Sequence, residues 1–265
     1  MTKYISRDKL EHAIWRLGEP IPQPLPSPAP QRETSSIEGN YIIMPRASTY
    51  ALGIQALQEA CKTEIDSPHP QFVLDDGNKI YRALTFKEDI EARVKDYENN
   101  KGTEERVRLF KTWNDSCTGV AYKGGTTKFK IVPICSGLIT INKDFNGGWL
   151  AIDYDAIEGV EVDRAVGKYN VHLTKDEVLA NEGWRAAVEG DLELLTAYRN
   201  IVFTELKMAN AMAFCVLDKP AQDHLRALFV DDLSDNSNAS GSNDLGNSGS
   251  FLHVAPSRAP EARRA

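Results

Sequence analysis

The run from Cys117 to Val162 limits most strongly what this chain can become. Within it FKIVPI, GLITI and WLAIDY are rich in β-branched and aromatic residues, and the glycine turns Lys123-Gly124-Gly125 and Asn146-Gly147-Gly148 punctuate them. Short apolar runs joined by such turns predict antiparallel strands, so a sheet is expected over about 117–163. A sheet of this kind must bury a face against other elements, and segments of helical period lie on both sides of it.

Upstream, NYIIM at 40–44 predicts a short strand, and STYALGIQALQEACKTEI then places Tyr50, Ile54, Leu57, Cys61 and Ile65 on one helical face. FVL and IYRAL flank Asp75-Asp76-Gly77-Asn78, which predicts a hairpin within 71–84 because Gly and Asn tolerate positive φ. Thr85 and Glu88 form a capping box ahead of a helix with Phe86, Ile90, Val94 and Tyr97 inward, and a second helical segment is expected over 103–113. Downstream, Thr174 and Glu177 repeat the capping box, and Asp191 caps a helix in which Leu195, Tyr198, Val202, Leu206 and Ala209 share a face. Pro220 suits the first turn of one more helix carrying Leu225, Leu228 and Phe229. The expected fold is α+β: a mostly antiparallel sheet, with short strands near 40–44 and 71–84, flanked by several helices.

The ends differ in character. Ser6 caps a short helix within residues 1–19, and proline then takes every second position from Pro20 to Pro30. Polyproline II has three residues per turn, so this spacing makes no P-x-x-P pair and residues 20–34 are expected to be a stiff spacer. The main domain is expected at 35–230. From 231 to 265 the chain turns to Ser, Asn, Gly and Asp, which predicts a flexible tail, with a few apolar residues in SFLHVAPSRAPEARRA as a docking end.

The 265 residues carry a formal charge of −7 and no stretch long and apolar enough for a membrane span; the first twenty residues are too charged for a signal-peptide core. Cys61, Cys117, Cys135 and Cys215 are scattered without a C-x-x-C pair, which predicts reduced thiols in a cytoplasmic protein rather than a zinc ribbon or a disulfide scaffold. Asn114-Asp115-Ser116 and Asn238-Ala239-Ser240 match the glycosylation pattern, which has no use inside a cell. No cofactor is expected.

Gly119-Val-Ala-Tyr-Lys-Gly124-Gly125-Thr126 follows the spacing of a phosphate-binding loop except that Gly125 replaces the lysine. Without that charge, and with the strand-like TTKFKIVPI in place of a helix, a hairpin turn is the better expectation. The bases between Lys79 and Lys130 are interleaved with aromatics, so Arg82, Lys123, Lys128 and Lys130, with Tyr122 stacking on exposed bases, form a candidate surface for single-stranded nucleic acid. Cys117 is a candidate nucleophile if His172 holds it as thiolate and Asp153 or Asp155 orients the imidazole. On a strand Asp153 and Asp155 would point the same way and offer two hard oxygens to a divalent cation; charge protection of a sheet edge is the simpler account of them. Glu205-Leu206-Lys207 resembles the end of a nuclease E-x-K pattern but lies in a helical segment.

Tethers at both ends are more typical of a protein that joins others than of a compact enzyme. The sequence therefore predicts a non-enzymatic intracellular binding or assembly protein, whose partners are other protein chains or further copies of itself, with nucleic acid as a candidate through 79–130. The alternative is a thiol-dependent hydrolase using Cys117 and His172.

Overall fold

The computed structural model describes residues 40–64, 66–140, 148–247 and 249–256. The expected leading helix and proline spacer lie outside these residues. In chain order the elements are β1 (Asn40–Ile43), α1 (Tyr50–Lys62), β2 (Gln71–Val73), β3 (Lys79–Tyr81), α2 (Phe86–Asn99) and β4 (Asn114–Tyr122). There follow β5 (Lys128–Val132), α3 (Ser136–Ile139), β6 (Leu150–Ala151), β7 (Val160–Asp163), α4 (Lys175–Ala180), α5 (Glu182–Ala187) and α6 (Leu192–Asn200). The last four are β8 (Phe214–Cys215), β9 (His224–Val230), β10 (Ala239–Ser240) and β11 (Leu252–Ala255).

The main sheet runs β7-β5-β4-β9-β10-β8, with β6 also pairing β9; β1 pairs β11, and β2 pairs β3. Every pairing is antiparallel except that of β10 with β8. The fold is α+β, as the periodicities predict. Thr85 accepts from the Glu88 amide while the Glu88 carboxylate accepts from the Thr85 amide, so both halves of the predicted capping box form. Thr174 with Glu177 does the same for α4, and Asp191 caps α6 by accepting from the Leu194 amide.

Four expectations of secondary structure are corrected. Leu225, Leu228 and Phe229 lie in β9 rather than in a helix, because a strand buried on both faces loses the alternation that distinguishes it from an apolar helical stripe. GLITI opens with the single helical turn α3, and residues 103–113 form two short 3-10 turns, Glu104–Val107 and Leu109–Lys111, in place of one helix. The segment read as a flexible tail contributes β10 and β11, and Ala239, Leu245, Phe251, Leu252 and Val254 are buried. No helix among the described residues is long and apolar enough to cross a membrane.

Helices α2, α5 and α6 cover one face of the sheet around Trp184, Phe214 and Tyr198, while α1 and α3 cover the other around Tyr50, Leu57 and Leu225. The two faces meet at a bulge in β4. Asp115 pairs with Phe229 and Gly119 with Ala227, so Ser116, Cys117 and Thr118 stand against Leu228 alone. The freed polar groups gather the neighbouring elements: Tyr50 donates to the Ser116 carbonyl at 2.8 Å, Phe86 N–H to Thr118 Oγ1 at 2.9 Å and Cys135 N–H to the Cys117 carbonyl at 3.0 Å.

Just upstream, Arg93 is fully buried on α2. Its guanidinium donates to the Asp89 carboxylate at 3.1 Å and to the carbonyls of Asp231 at 3.1 Å and Thr112 at 2.7 Å. A buried cation is tolerated only when so many acceptors replace water, and its removal strands Asp89 and those carbonyls. Arg93→Ala is expected to lose about 3–5 kcal/mol in urea unfolding; a loss under about 1 kcal/mol would show that the network carries little.

Candidate functional site

The structure resolves the glycine-rich question as a hairpin. β4 ends at Tyr122, Lys123 N–H bonds the Lys128 carbonyl at 3.1 Å, Gly125 takes φ +68°, and β5 returns antiparallel. No helix N-terminus follows the turn to face an anion.

Lys123 of the candidate basic surface and Asp155 of the candidate metal pair turn out to be each other's counter-charges. Lys123 pairs with Asp155 at 2.8 Å, Lys128 with Glu161 at 2.7 Å, and Lys130 donates to the carbonyls of Tyr154 and Ile157 while lying 4.4 Å above the Tyr154 ring. Asp153 and Asp155 are not on a strand, since β6 stops at Ala151; Asp153 accepts from the Asp155 amide at 3.0 Å in a turn. The hydrogen bond from Lys123 holds the Asp155 carboxyl below its ordinary range. Tyr122 and Arg82 are buried, which leaves no ring face for a base and no free fork for a phosphate. Tyr122 donates to the Gly241 carbonyl at 2.9 Å, and Arg82 forms a two-point pair with Glu88 at 2.7 Å.

Cys117 and His172 occupy separate environments. Cys117 is fully buried in the bulge, and burial pushes its thiol up to about 12 even though the Arg82 guanidinium lies 3.8 Å from the sulfur. A nucleophilic cysteine requires the opposite shift and an adjacent imidazole. His172 is exposed, and its Nε2 meets the Asn236 amide at 3.3 Å.

What the structure does assemble is a polar loop surface from the supposed tail. Between β10 and β11 the backbone is anchored at short intervals. Gly241 N–H donates to Cys215 O at 2.9 Å, Arg226 to Ser242 O at 2.6 Å, Leu245 N–H to Gly148 O at 3.0 Å and Tyr50 N–H to Leu245 O at 3.2 Å. The Phe251 ring packs edge-on against Tyr50 and lies where a Cβ on Gly53 would stand, 2.2 Å from the nearest ring carbon, so only glycine fits that turn of α1. Between these anchors Asp244, Gly246 and Asn247 are exposed and Ser242 and Asn243 half-exposed. Together with Tyr50, Asp115 and Ala227, residues of this loop line a shallow pocket.

A sequence signal for this ordering was available. An apolar residue recurs every sixth position, Leu233, Ala239, Leu245 and Phe251, and the last three are buried while Leu233 packs against the core. Neither helix nor strand has that period, and the Ser/Asn/Gly background conceals it.

Asp115 lines this pocket, and burial pushes its carboxyl up to about 8, with Arg46 opposing the shift and Asp89 adding to it. The folded chain therefore keeps a proton that the unfolded chain releases above about 4, and stability falls as pH rises from there toward 8. Asp115→Asn removes this linkage. The variant is expected to melt several degrees above the parent at pH 8 and level with it near pH 4; equal differences at both pH values would contradict the assignment.

No family model matches the sequence, and no curated protein matches it. One solved structure is similar across 82% of this chain and 98% of its own, with a TM-score of 0.57 and 17% identity; it is described as the accommodation of massive sequence variation in Nanoarchaeota by the C-type lectin fold. At that identity the likeness is one of fold, and the α+β architecture of this chain is C-type lectin-like.

Proposed function

We propose that this chain is a non-enzymatic binding protein that engages another protein through the loop surface between β10 and β11, chiefly Ser242, Asn243, Asp244 and Asn247 above Asp115 and Tyr50. One observation carries the proposal: the backbone of this segment is bonded into the sheet and α1 while its short polar side chains stay at the surface. Such residues on a fixed frame offer adaptable hydrogen bonding at a low entropic cost, the division found in antibody loops.

The similar structure supports this division of roles. Its fold is described as accommodating massive sequence variation. A fold can do so only where changing a side chain leaves the backbone in place, and the exposed positions of residues 242–247 satisfy that requirement here. Substitution in the loop would remove the Ser242 Oγ–Ser240 Oγ bond at 3.1 Å, the Gly246 N–H to Asp244 Oδ1 bond at 2.7 Å and the Asn247 Nδ2 to Asn243 Oδ1 bond at 3.0 Å. The last two are solvent-exposed and worth little to stability, and the part-buried Ser242–Ser240 bond is worth about 1 kcal/mol.

The test is a pair of displayed libraries on the full chain. One randomises Ser242, Asn243, Asp244 and Asn247; the other randomises Lys123, Lys128, Lys130 and Asp155 on the hairpin face. Both are selected against the same folded protein, for instance a lysozyme. The proposal expects most loop variants to melt within about 5 °C of the parent, because exposed substitutions cost about 0.5 kcal/mol or less, and expects micromolar binders from the loop library alone. Binders emerging equally from both faces, or general unfolding of the loop library, would overturn it.

A further inference from the structure

Away from the loop surface, α1, the connection to β2 and β11 bring three ligand-type side chains together. Cys61 comes from the last turn of α1, His69 from the connection and His253 from β11, and all three are buried. Their ligand atoms lie within 4.8 Å of one another, the one such group among the described residues. We propose that Cys61, His69 and His253 form a structural zinc site, with Glu64 as the fourth ligand.

Ligand chemistry selects the metal. A thiolate with two imidazoles suits a borderline-soft ion of tetrahedral preference and disfavours calcium or magnesium, which take oxygens. Bonds of 2.0–2.3 Å give tetrahedral edges of about 3.3–3.8 Å, so atoms within 4.8 Å of one another need to close by at most about 1.5 Å. The Glu64 carboxylate already stands 3.1 Å from His253 Nε2, and its side chain is 24% exposed, which leaves it room to turn inward.

His69 already makes the outer-shell contact of a metal-bound histidine. Its Nε2 lies 2.7 Å from the Arg82 carbonyl, which fixes the proton on that nitrogen, while Nδ1 accepts from the Val254 amide at 3.0 Å. Loading exchanges the Val254 amide for the ion at Nδ1 and keeps the carbonyl bond as the outer-shell contact. Burial pushes the Cys61 thiol up to about 12; binding releases its proton to solvent as the sulfur–metal bond forms.

Such a site ties the two ends of the described chain together. β11 pairs with β1 in a two-stranded sheet of their own, and the ion would add a second clamp, from β11 to the end of α1.

The experiment strips the full chain with a chelator, restores zinc or cobalt, and measures bound metal and the melting midpoint. The expected results are about one zinc per chain, a midpoint rise of about 5 °C or more with the metal, and thiolate-to-cobalt charge transfer with tetrahedral ligand-field bands. Cys61→Ser should lose the charge-transfer band, and His253→Gln should weaken binding at least tenfold, while His172→Gln, at an exposed histidine, leaves both unchanged. Because the parent chain is itself measured, misfolding of a variant does not rescue the idea. No metal retained by the parent at micromolar free zinc, or cobalt bound without the sulfur band, would overturn it.

Discussion

The buried guanidinium of Arg93 is the interaction on which the arrangement of the chain's second half depends. Through it α2 holds the end of β9 at the carbonyls of Val230 and Asp231 and the entry to β4 at Thr112. These are the points from which the segment 231–250 departs and against which the β4 bulge opens. A hydrophobic side chain at this position would fill the volume but leave the carbonyls without donors, and an unpaired buried carbonyl costs as much as several good packing contacts gain. Polar satisfaction, rather than apolar area alone, thus sets where the loop surface begins.

From that origin the segment follows a rule of alternate anchoring. Ala239, Leu245 and Phe251 enter the core, main-chain bonds to Cys215, Gly148 and Tyr50 hold the intervening backbone, and the polar residues between them face outward. The result is a loop with little regular secondary structure whose amides at Gly241, Leu245, Gly246 and Asn247 are bonded, which allows irregular backbone to be ordered. The same arrangement explains why Asp115 is so perturbed: the bulge and the returning Gly249–Phe251 stretch enclose its carboxyl, and the Asp115 amide bonds the Ser250 carbonyl at 2.8 Å.

Periodicity made the front of the fold legible. Helix α1, the capping boxes of α2 and α4, the Asp191 cap and the hairpin at Gly124-Gly125 follow from local chemistry, because each is decided within a few residues of sequence. What was not legible rested on distant partners. Strand β9 is strand-like only because β4, β6 and β10 surround it, and Cys117 and Tyr122 are inert only because of what buries them. Likewise Lys123 and Lys128 resemble a basic surface until Asp155 and Glu161, more than thirty residues away, are placed beside them. The loop surface was the most concealed, since a polar composition signals disorder unless its six-residue apolar interval is noticed.

Central to this account is a backbone that is fixed where its side chains are free. Amide hydrogen exchange on the full chain, read residue by residue across 231–255, tests this most directly. The account predicts strong protection at Ala239, Gly241 and Leu245, whose amides are bonded to Ala213, Cys215 and Gly148, beside fast exchange at exposed Asp244. Uniform exchange at the rate of an unfolded peptide throughout the segment would mean that no fixed surface exists there.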